Sequence, residues 1–478
     1  MRRICERLLN FVQVIDHRGT VRLCGWLQDN VIGALTEKSM KEIWHGEYAS
    51  QLRSRLMEGD YSQCIVDACP YLAMDDLESH LIEVDELQEY PEELHLAYEN
   101  VCNYRCTSCT VPGMMQRNRT ENLKQSYDII EQRLEEVLPH IKRISANGCG
   151  ELFVSKRILK LLADWKPLAP AEEVEVMLET NGSLFDEIHW KQIENLGQYY
   201  LSVSITVMSF DEPAYQFLSG TTLPITQIES NLHFVKGLRE KGIVNYFEIA
   251  TVVQERNFRF LPEFARRCVE EFGADYVRLR PYMPWGADRP EIEWFADIRN
   301  PKHPYYMEYK KVMENKIFSH PLVHDWSGGK DSECSKGFPN SFSSKVFYLK
   351  EQILADIVLN TEKVMKKIKN SINGDKIIVY GLGNIGKVLL MKLEEYGIKP
   401  ECALDKYQSE GVFGKVTVCR PEQAVSTSPN TDIVITPLTQ TGLISEELKA
   451  LGYTGRIIWL GNMLSDEGLV SEVTKAVK

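Results

Sequence analysis

Long apolar runs are missing from this 478-residue sequence: no stretch approaches the roughly 18 consecutive apolar residues that a membrane-spanning helix needs. Positive charge is also in deficit. Lys and Arg total 55 against 68 Asp and Glu, a formal charge of −13, which argues against a general nucleic-acid binder while leaving room for a local basic channel. Twelve cysteines are too few for a disulfide-stapled miniprotein of this length, so their grouping raises the question of metals. No internal repeat or low-complexity tract stands out. Met1-Arg2-Arg3 ahead of Leu8-Leu9 has the start of a leader, but Glu6, Asn10, Gln13 and Asp16 break the apolar run. The expectation is a cytoplasmic protein, where thiols stay reduced, with neither a membrane nor nucleic acid as partner.

Ordinary globular material makes up the rest. Hydrophobic residues are 44% and charged residues 26%, which excludes a largely disordered chain. At roughly 150 residues per domain the length allows about three domains. Residues 1–85 hold Cys5, Cys24, Cys64 and Cys69, with alternating runs at 11–15 and 20–24 that read as a hairpin about Asp16-His17-Arg18-Gly19. An acidic stretch over 75–93 reads as a linker. From 90 to 290, apolar runs at 93–98, 143–146, 174–179, 200–205, 246–253 and 276–280 alternate with amphipathic segments such as 126–140 and 225–241. That is the pattern of repeated βα units, expected to bend into a partial (β/α)6 TIM-like barrel with ligands at the C-terminal strand ends. Residues 291–372 read as a helical connector, with a Ser-Gly-Gly-Lys loop at 327–330 and a helix over 345–372. Residues 373–478 open a new βαβ pattern. The fold class expected is α/β throughout, with a small cysteine-rich α+β module at the front and a Rossmann-like α/β domain at the end.

The most informative string is Cys102-Asn-Tyr-Arg-Cys106-Thr-Ser-Cys109, directly after an expected strand. Thiolates are soft ligands suited to iron–sulfur clusters and to zinc. A structural zinc site usually needs four ligands. Three cysteines at this spacing can instead hold three corners of a 4Fe–4S cluster and leave one iron open to a chelating ligand. A zinc or structural thiol site remains the alternative.

The string resembles the CxxxCxxC fingerprint of the radical S-adenosylmethionine (SAM) superfamily, which lies in the loop after the first barrel strand. Further segments follow in the family's order. Gly148-Cys149-Gly150-Glu151 is similar to the Gly-Gly-Glu-Pro segment, whose glycine backbone and carboxylate meet the SAM ammonium; Leu152 replaces the proline. Thr180-Asn181-Gly182 is similar to the Thr-Asn-Gly after the third strand. Ser204 stands where a serine meets the ribose, and Asn257 fits the asparagine after the fifth strand. The chain departs from the family at Ser108 (usually aromatic), at Thr206 (often Asp) and at Leu218-Ser219-Gly220, where an arginine is usual.

The first 73 residues resemble the SPASM or twitch module, an auxiliary-cluster domain usually found after the barrel. The resemblance runs through residues 19–24, 32–33, 39–44 and 51–53 to Cys64-Ile-Val-Asp-Ala-Cys69-Pro70. It implies that Cys5, Cys24, Cys64 and Cys69 hold a second, auxiliary 4Fe–4S cluster; four thiolates also suit zinc. Cys149, Cys268, Cys402 and Cys419 read as small packed hydrophobes and Cys334 as a free thiol.

Near the C-terminus, Gly381-Leu-Gly383-Asn-Ile-Gly386 is a GxGxxG turn between a strand and a helix, and Asp405 follows a second strand. Such a turn can cradle a phosphate, with Asp405 on a ribose, which makes NAD or a nucleotide sugar the candidate ligand and a glycine turn kept for packing the alternative. The radical SAM resemblance implies reductive cleavage of SAM to a 5′-deoxyadenosyl radical that abstracts hydrogen from a sugar, small alcohol or peptide. It also implies a flavodoxin- or ferredoxin-type electron donor. A non-catalytic iron–sulfur or zinc scaffold with a nucleotide-sensing domain is the rival reading.

Overall fold

The computed structural model describes residues 3–27, 30–61, 64, 69–73, 76–83, 87–109, 121–282, 290–327, 350, 353–405, 411–438 and 441–464. The chain divides into two compact units, residues 1–282 with 307–332, and residues 283–306 with 333–478.

In the first unit, β1 (Arg3–Cys5) precedes the hairpin β2 (Phe11–Ile15) and β3 (Thr20–Arg22), then β4 (Val31–Ala34) and β5 (Leu81–Glu83). Seven more strands follow: β6 (Glu93–Ala97), β7 (Arg143–Ala146), β8 (Glu175–Thr180), β9 (Tyr200–Thr206), β10 (Tyr246–Val253), β11 (Tyr276–Pro281) and β12 (Val323–Asp325). They form one sheet in the order β12-β11-β10-β9-β8-β7-β6-β2-β3-β4, while β1 and β5 pair separately. From β12 to β2 every neighbouring pair is parallel, and β3 and β4 add antiparallel.

The six expected strands are all present, but the parallel run is longer than six. It gains β12 at one side and β2 at the other. The front module is therefore not separate from the expected barrel, because β2 hydrogen-bonds along β6 from Phe11↔Glu93 to Ile15↔Ala97. Local periodicity marks a strand but not its distant partner.

Alternation along the strands sorts side chains onto two faces. Leu94, Leu96, Ile144, Ala146, Val176, Leu178, Leu201, Val203, Ile205, Phe247 and Ile249 are at most 1% exposed. The connecting helices Lys156–Asp164, Ile225–Glu240 and Leu261–Glu270 each bury an apolar stripe of their own. The opposite face carries polar side chains, among them His95, Ser145, Glu179, Ser204, Glu248, Arg278, Arg280 and His324, with His95 paired to Ser145, Ser204 to both Glu179 and Glu248, and Arg278 to His324.

The segment 291–372 does not form one connector. Residues 307–332, including β12, belong to the first unit and the remainder to the second. The helix expected over 345–372 is interrupted at Asn360, which leaves the helical region (φ −118°, ψ 33°) between helical residues 353–359 and the helix Thr361–Ser371. Of the Ser-Gly-Gly-Lys loop only Ser327 is among the described residues, and Cys334 lies outside them.

The second unit holds β13 (Lys376–Tyr380), β14 (Lys399–Leu404), β15 (Gly411–Phe413), β16 (Val416–Cys419), β17 (Ile433–Ile435) and β18 (Ile457–Trp459) in the order β15-β16-β14-β13-β17-β18. Only β15 runs antiparallel to its neighbour. Alternate residues of β13 enter different cores. Ile377 and Val379 pack with Val364, Ile368, Val388 and Leu389 of two helices, whereas Ile378 and Tyr380 pack with Val425 and Leu448 of two others. Both faces of this sheet are thus covered by helices, and the chain order reverses beside β13.

Candidate functional site

The cysteine loop leaves the C-terminal end of β6 and runs across the ends of its neighbours. Asn103 Nδ2 donates to Ser183 Oγ at 2.8 Å, beyond β8. The backbone N–H groups of Arg105 and Thr107 donate to the carbonyls of Ser219 and Leu218, each at 2.9 Å, at the end of the helix Glu212–Ser219. Thr107 Oγ1 donates to Gln254 Oε1 at 3.2 Å, just past β10, and the hydroxyls of Tyr104 and Tyr215 bond each other. Cys109 N donates to Cys106 O at 3.2 Å, and Tyr104 N donates to Cys102 Sγ at 3.4 Å. These bonds hold three thiols in one electrostatic neighbourhood. Burial, followed by the charges of Cys102 and Cys109, raises the Cys106 pKa, and burial pushes Cys102 up to about 11. Thiols this costly to ionise alone suit a cationic centre that stabilises the thiolate.

The turn after β7 supports the loop from beneath. A Cβ on Gly150 would lie 2.8 Å from Val101 O, so only glycine allows the turn to approach the start of the cysteine loop this closely. Glu151 differs from its expected role toward an ammonium. Its side chain is fully buried, accepting at Oε1 from Thr180 Oγ1 (2.5 Å) and Phe153 N (3.3 Å), and at Oε2 from Asn181 N (2.7 Å). Burial raises its pKa against the pull of those bonds. Glu151 thus fastens the Thr180-Asn181-Gly182 turn. The carboxylate that stands against the glycines is Glu179 of β8: its Oε2 is 2.8 Å from the Cβ position of Gly148, with His95 Nε2 at 3.4 Å.

Sequence reasoning also passed over Asn147. It adopts a left-handed backbone (φ 83°), is fully buried, and its side-chain amide has no hydrogen-bond partner at either atom among the described residues. An Asn-Gly pair at a strand end is the one signal that could have drawn attention to it.

Asn181 stands beside the thiols, its Nδ2 being 3.9 Å from Cys102 Sγ and 2.9 Å from Asn103 Oδ1. Ser204 donates to Glu248 Oε1 at 2.9 Å and is 2% exposed. Asn257 has a different task from the cofactor contact expected of it. Its Oδ1 accepts from Gln254 N at 2.8 Å and its Nδ2 donates to Met208 O at 2.7 Å and Val252 O at 2.9 Å. Its amide ties the β9 and β10 ends together.

Cys5, Cys24, Cys64 and Cys69 line one cavity with Trp26, Leu27, Tyr61 and Tyr71. Burial pushes the Cys5 thiol up to about 11 and the Cys64 thiol to about 12, and also raises Cys24. A set of four thiols in a small, largely apolar cavity fits a fully ligated cluster and also tetrahedral zinc. Among the described residues, no group of three or more His, Cys, Asp and Glu is drawn together as a ready ion site. Cys5 precedes β2 and Cys24 follows the antiparallel β3, so both sit at the N-terminal end of the parallel strands, opposite the loop 102–109. At that same end, a cavity of about 220 Å3 is lined by Glu6, Arg7, Tyr71, Glu93, Arg143 and Glu175. Of the remaining cysteines, Cys268 and Cys402 are buried, and Cys149 and Cys419 half-buried.

In the second unit the three glycines differ. Gly381 has φ 95° and Gly386 lies so close to the turn that a Cβ would be 1.8 Å from Gly381 O. Gly383 has nothing within 4 Å of its Cβ position and leaves the helix N-terminus open. Asp405 Oδ2 accepts from Leu382 N at 2.7 Å, so this carboxylate braces the turn.

Residues 5–70 match the family model of SPASM, an iron–sulfur cluster-binding domain. That module is accordingly of SPASM type, and it lends β2, β3 and β4 to the large sheet. No curated protein matches the chain. Among solved structures, the chain is similar to SuiB of Streptococcus suis, at 13% identity over 64% of this chain and 68% of that one, with a TM-score of 0.35. It is also similar to TsrM of Kitasatospora setae, a radical SAM methyltransferase with cobalamin and a 4Fe–4S cluster bound, at 15% identity and a TM-score of 0.29. That likeness spans 45% of this chain and 41% of TsrM. Among the described residues no helix is long and apolar enough to cross a membrane.

Proposed function

We propose that the chain is a radical SAM enzyme that oxidises or otherwise modifies a sugar, small alcohol or peptide at an unactivated C–H bond. The observation that carries this reading is the loop 102–109, pinned by hydrogen bonds across the C-terminal strand ends beside a polar sheet face. Cys102, Cys106 and Cys109 would hold the SAM-binding 4Fe–4S cluster, and the SPASM-type module would hold the auxiliary one through Cys5, Cys24, Cys64 and Cys69. When bound, the first cluster supplies the electron that splits SAM into methionine and a 5′-deoxyadenosyl radical.

The chain's own contribution is positioning. Gly148 and Gly150 open the turn to close approach, and Glu179 offers an anionic partner to the SAM ammonium beside Gly148. Asn181 orients the Cys102 side. The open turn at Gly383, where the strand order reverses, supports a Rossmann-like site for NAD or a nucleotide sugar. A flavodoxin- or ferredoxin-type donor in the cytoplasm would reduce the clusters.

Anaerobically reconstituted protein with dithionite and SAM is expected to release 5′-deoxyadenosine, and a Cys102→Ala/Cys106→Ala/Cys109→Ala variant is expected not to. Unchanged cleavage in the triple variant sinks the proposal. Iron confined to the SPASM-type module, with no cleavage, would leave the scaffold reading.

A further inference from the structure

Strand β11 places Arg278 and Arg280 on the polar face, toward the end of the sheet that the cysteine loop crosses. Both guanidinium groups turn to a single carboxylate. Arg278 forms an ion pair with Glu248, and Arg280 Nη2 stands 3.7 Å from Glu248 Oε1, near enough for attraction and too far for a hydrogen bond. Glu248 is fully buried and already accepts from Ser204. One negative charge therefore faces two positive ones. Among the described residues the buried Nε atoms of both arginines have no hydrogen-bond partner, and Arg280 makes no hydrogen bond at all.

Aromatic rings hold Arg278 in place. The Arg278 guanidinium lies 4.7 Å from the Trp326 ring centroid and 5.5 Å from that of Tyr276, and Trp326 Nε1 donates to Tyr276 Oη at 3.1 Å. His324 stacks on Tyr276 at 3.8 Å, where burial and then Arg278 lower its pKa and favour its neutral form. The side chains of Arg278 and Arg280 remain 24% and 34% exposed, so a ligand can reach them. Surplus charge, unused planar donors and a preset orientation match the demands of an oxyanion, which arginine grips with paired N–H groups.

We propose that Arg278 and Arg280 form an anion subsite that takes a carboxylate or phosphate group of the substrate. Calling the bound molecule the substrate rests on the radical reaction proposed above; the binding does not. The subsite narrows the substrate class to acidic or phosphorylated molecules and away from neutral alcohols.

The full-length chain is titrated with glucose 1-phosphate, glucuronate and glucose, read by calorimetry and by the fluorescence of Trp326, with Trp326→Phe as the blank. At least one anion is expected to bind roughly ten-fold more tightly than glucose, as a charge-assisted pair of hydrogen bonds allows. The tighter of the two tells phosphate from carboxylate. Arg280→Gln is expected to lose that preference with an unchanged melting temperature. Should that variant not fold, Arg280→Lys, which keeps the charge and loses the fork, is expected to weaken the anion several-fold. Equal affinity for all three sugars, or anion binding unaltered in a folded Arg280 variant, overturns the subsite. Release of 5′-deoxyadenosine is measured on the same samples. Anion preference without cleavage keeps the subsite and removes the radical reading, whereas cleavage without anion preference removes the subsite alone.

Discussion

The side-chain amide of Asn181 reaches Cys102 Sγ at 3.9 Å and Asn103 Oδ1 at 2.9 Å, which joins the turn after β8 to the cysteine loop after β6. If Cys102 ligates iron as proposed, such a donor orients its sulfur and draws off charge, and loss of such partners typically weakens metal binding ten- to a hundred-fold. Asn181→Leu is expected to weaken iron binding at the loop 102–109 by about ten-fold, so that iron per chain falls toward the content of the SPASM-type module alone. Iron per chain after desalting and the cluster's reduction midpoint check this; both unchanged would detach Asn181 from the site.

Glu151 makes a pH prediction. Burial raises its folded-state pKa above the ordinary 4.5, so the native chain binds the proton more tightly than the unfolded chain does. Stability from this group is complete below pH 4.5 and falls as pH rises through the folded-state value. Glu151→Gln removes that dependence while giving up acceptor capacity for Thr180, Asn181 and Phe153, at about 1–3 kcal/mol. Denaturant unfolding at pH 5 and pH 8 should therefore show a gap between wild type and variant that narrows toward pH 8. A widening gap would contradict the assignment.

Gly220 closes the helix Glu212–Ser219 in a left-handed conformation (φ 59°), and a Cβ there would lie 2.3 Å from Arg105 O. Gly220→Ala carries both backbone strain and a clash with the cysteine loop, worth about 1–3 kcal/mol in stability. The displaced segment lies between Cys102 and Cys106, so iron uptake should fall along with the unfolding midpoint. Full iron uptake would show that the loop tolerates the shift.

The two glycines of the second unit separate packing from binding. Gly386→Ala, with its Cβ 1.8 Å from Gly381 O, is expected to destabilise by about 3 kcal/mol. Gly383→Ala meets nothing and should change stability by less than about 1 kcal/mol. Equilibrium dialysis of the Gly383→Ala chain against NAD and nucleotide sugars should show weakened binding of whichever ligand the wild type retains; undiminished binding would place the ligand elsewhere.

Much of the strand framework was legible because the large sheet packs one face against helices and keeps the other polar, so its strands alternate in the sequence. Glu93–Ala97, Arg143–Ala146 and Tyr246–Val253 lie within a residue of expectation for that reason. Val323–Asp325 was passed over: three residues carry too little periodicity. The cysteine loop could be found by spacing alone, but side-chain direction could not. Glu151 and Asn257 have suitable chemistry and face inward, while Glu179, Arg278 and Arg280 appeared as ordinary members of strands. Glu248 in the apolar run Tyr246-Phe-Glu-Ile-Ala was the readable clue, since a charge inside such a run needs a partner.

The pairing of β2 with β6 has a consequence for how this polypeptide can be dissected. Removing residues 1–85 would strip a neighbour from β6 along its whole length and bare the backbone donors and acceptors of Glu93 through Ala97, a template for adhesion between molecules. The seam between the SPASM-type module and the strand that leads into the cysteine loop is thus a zipper rather than a hinge, and a truncated chain lacking its first eighty-odd residues should precipitate before its chemistry can be judged.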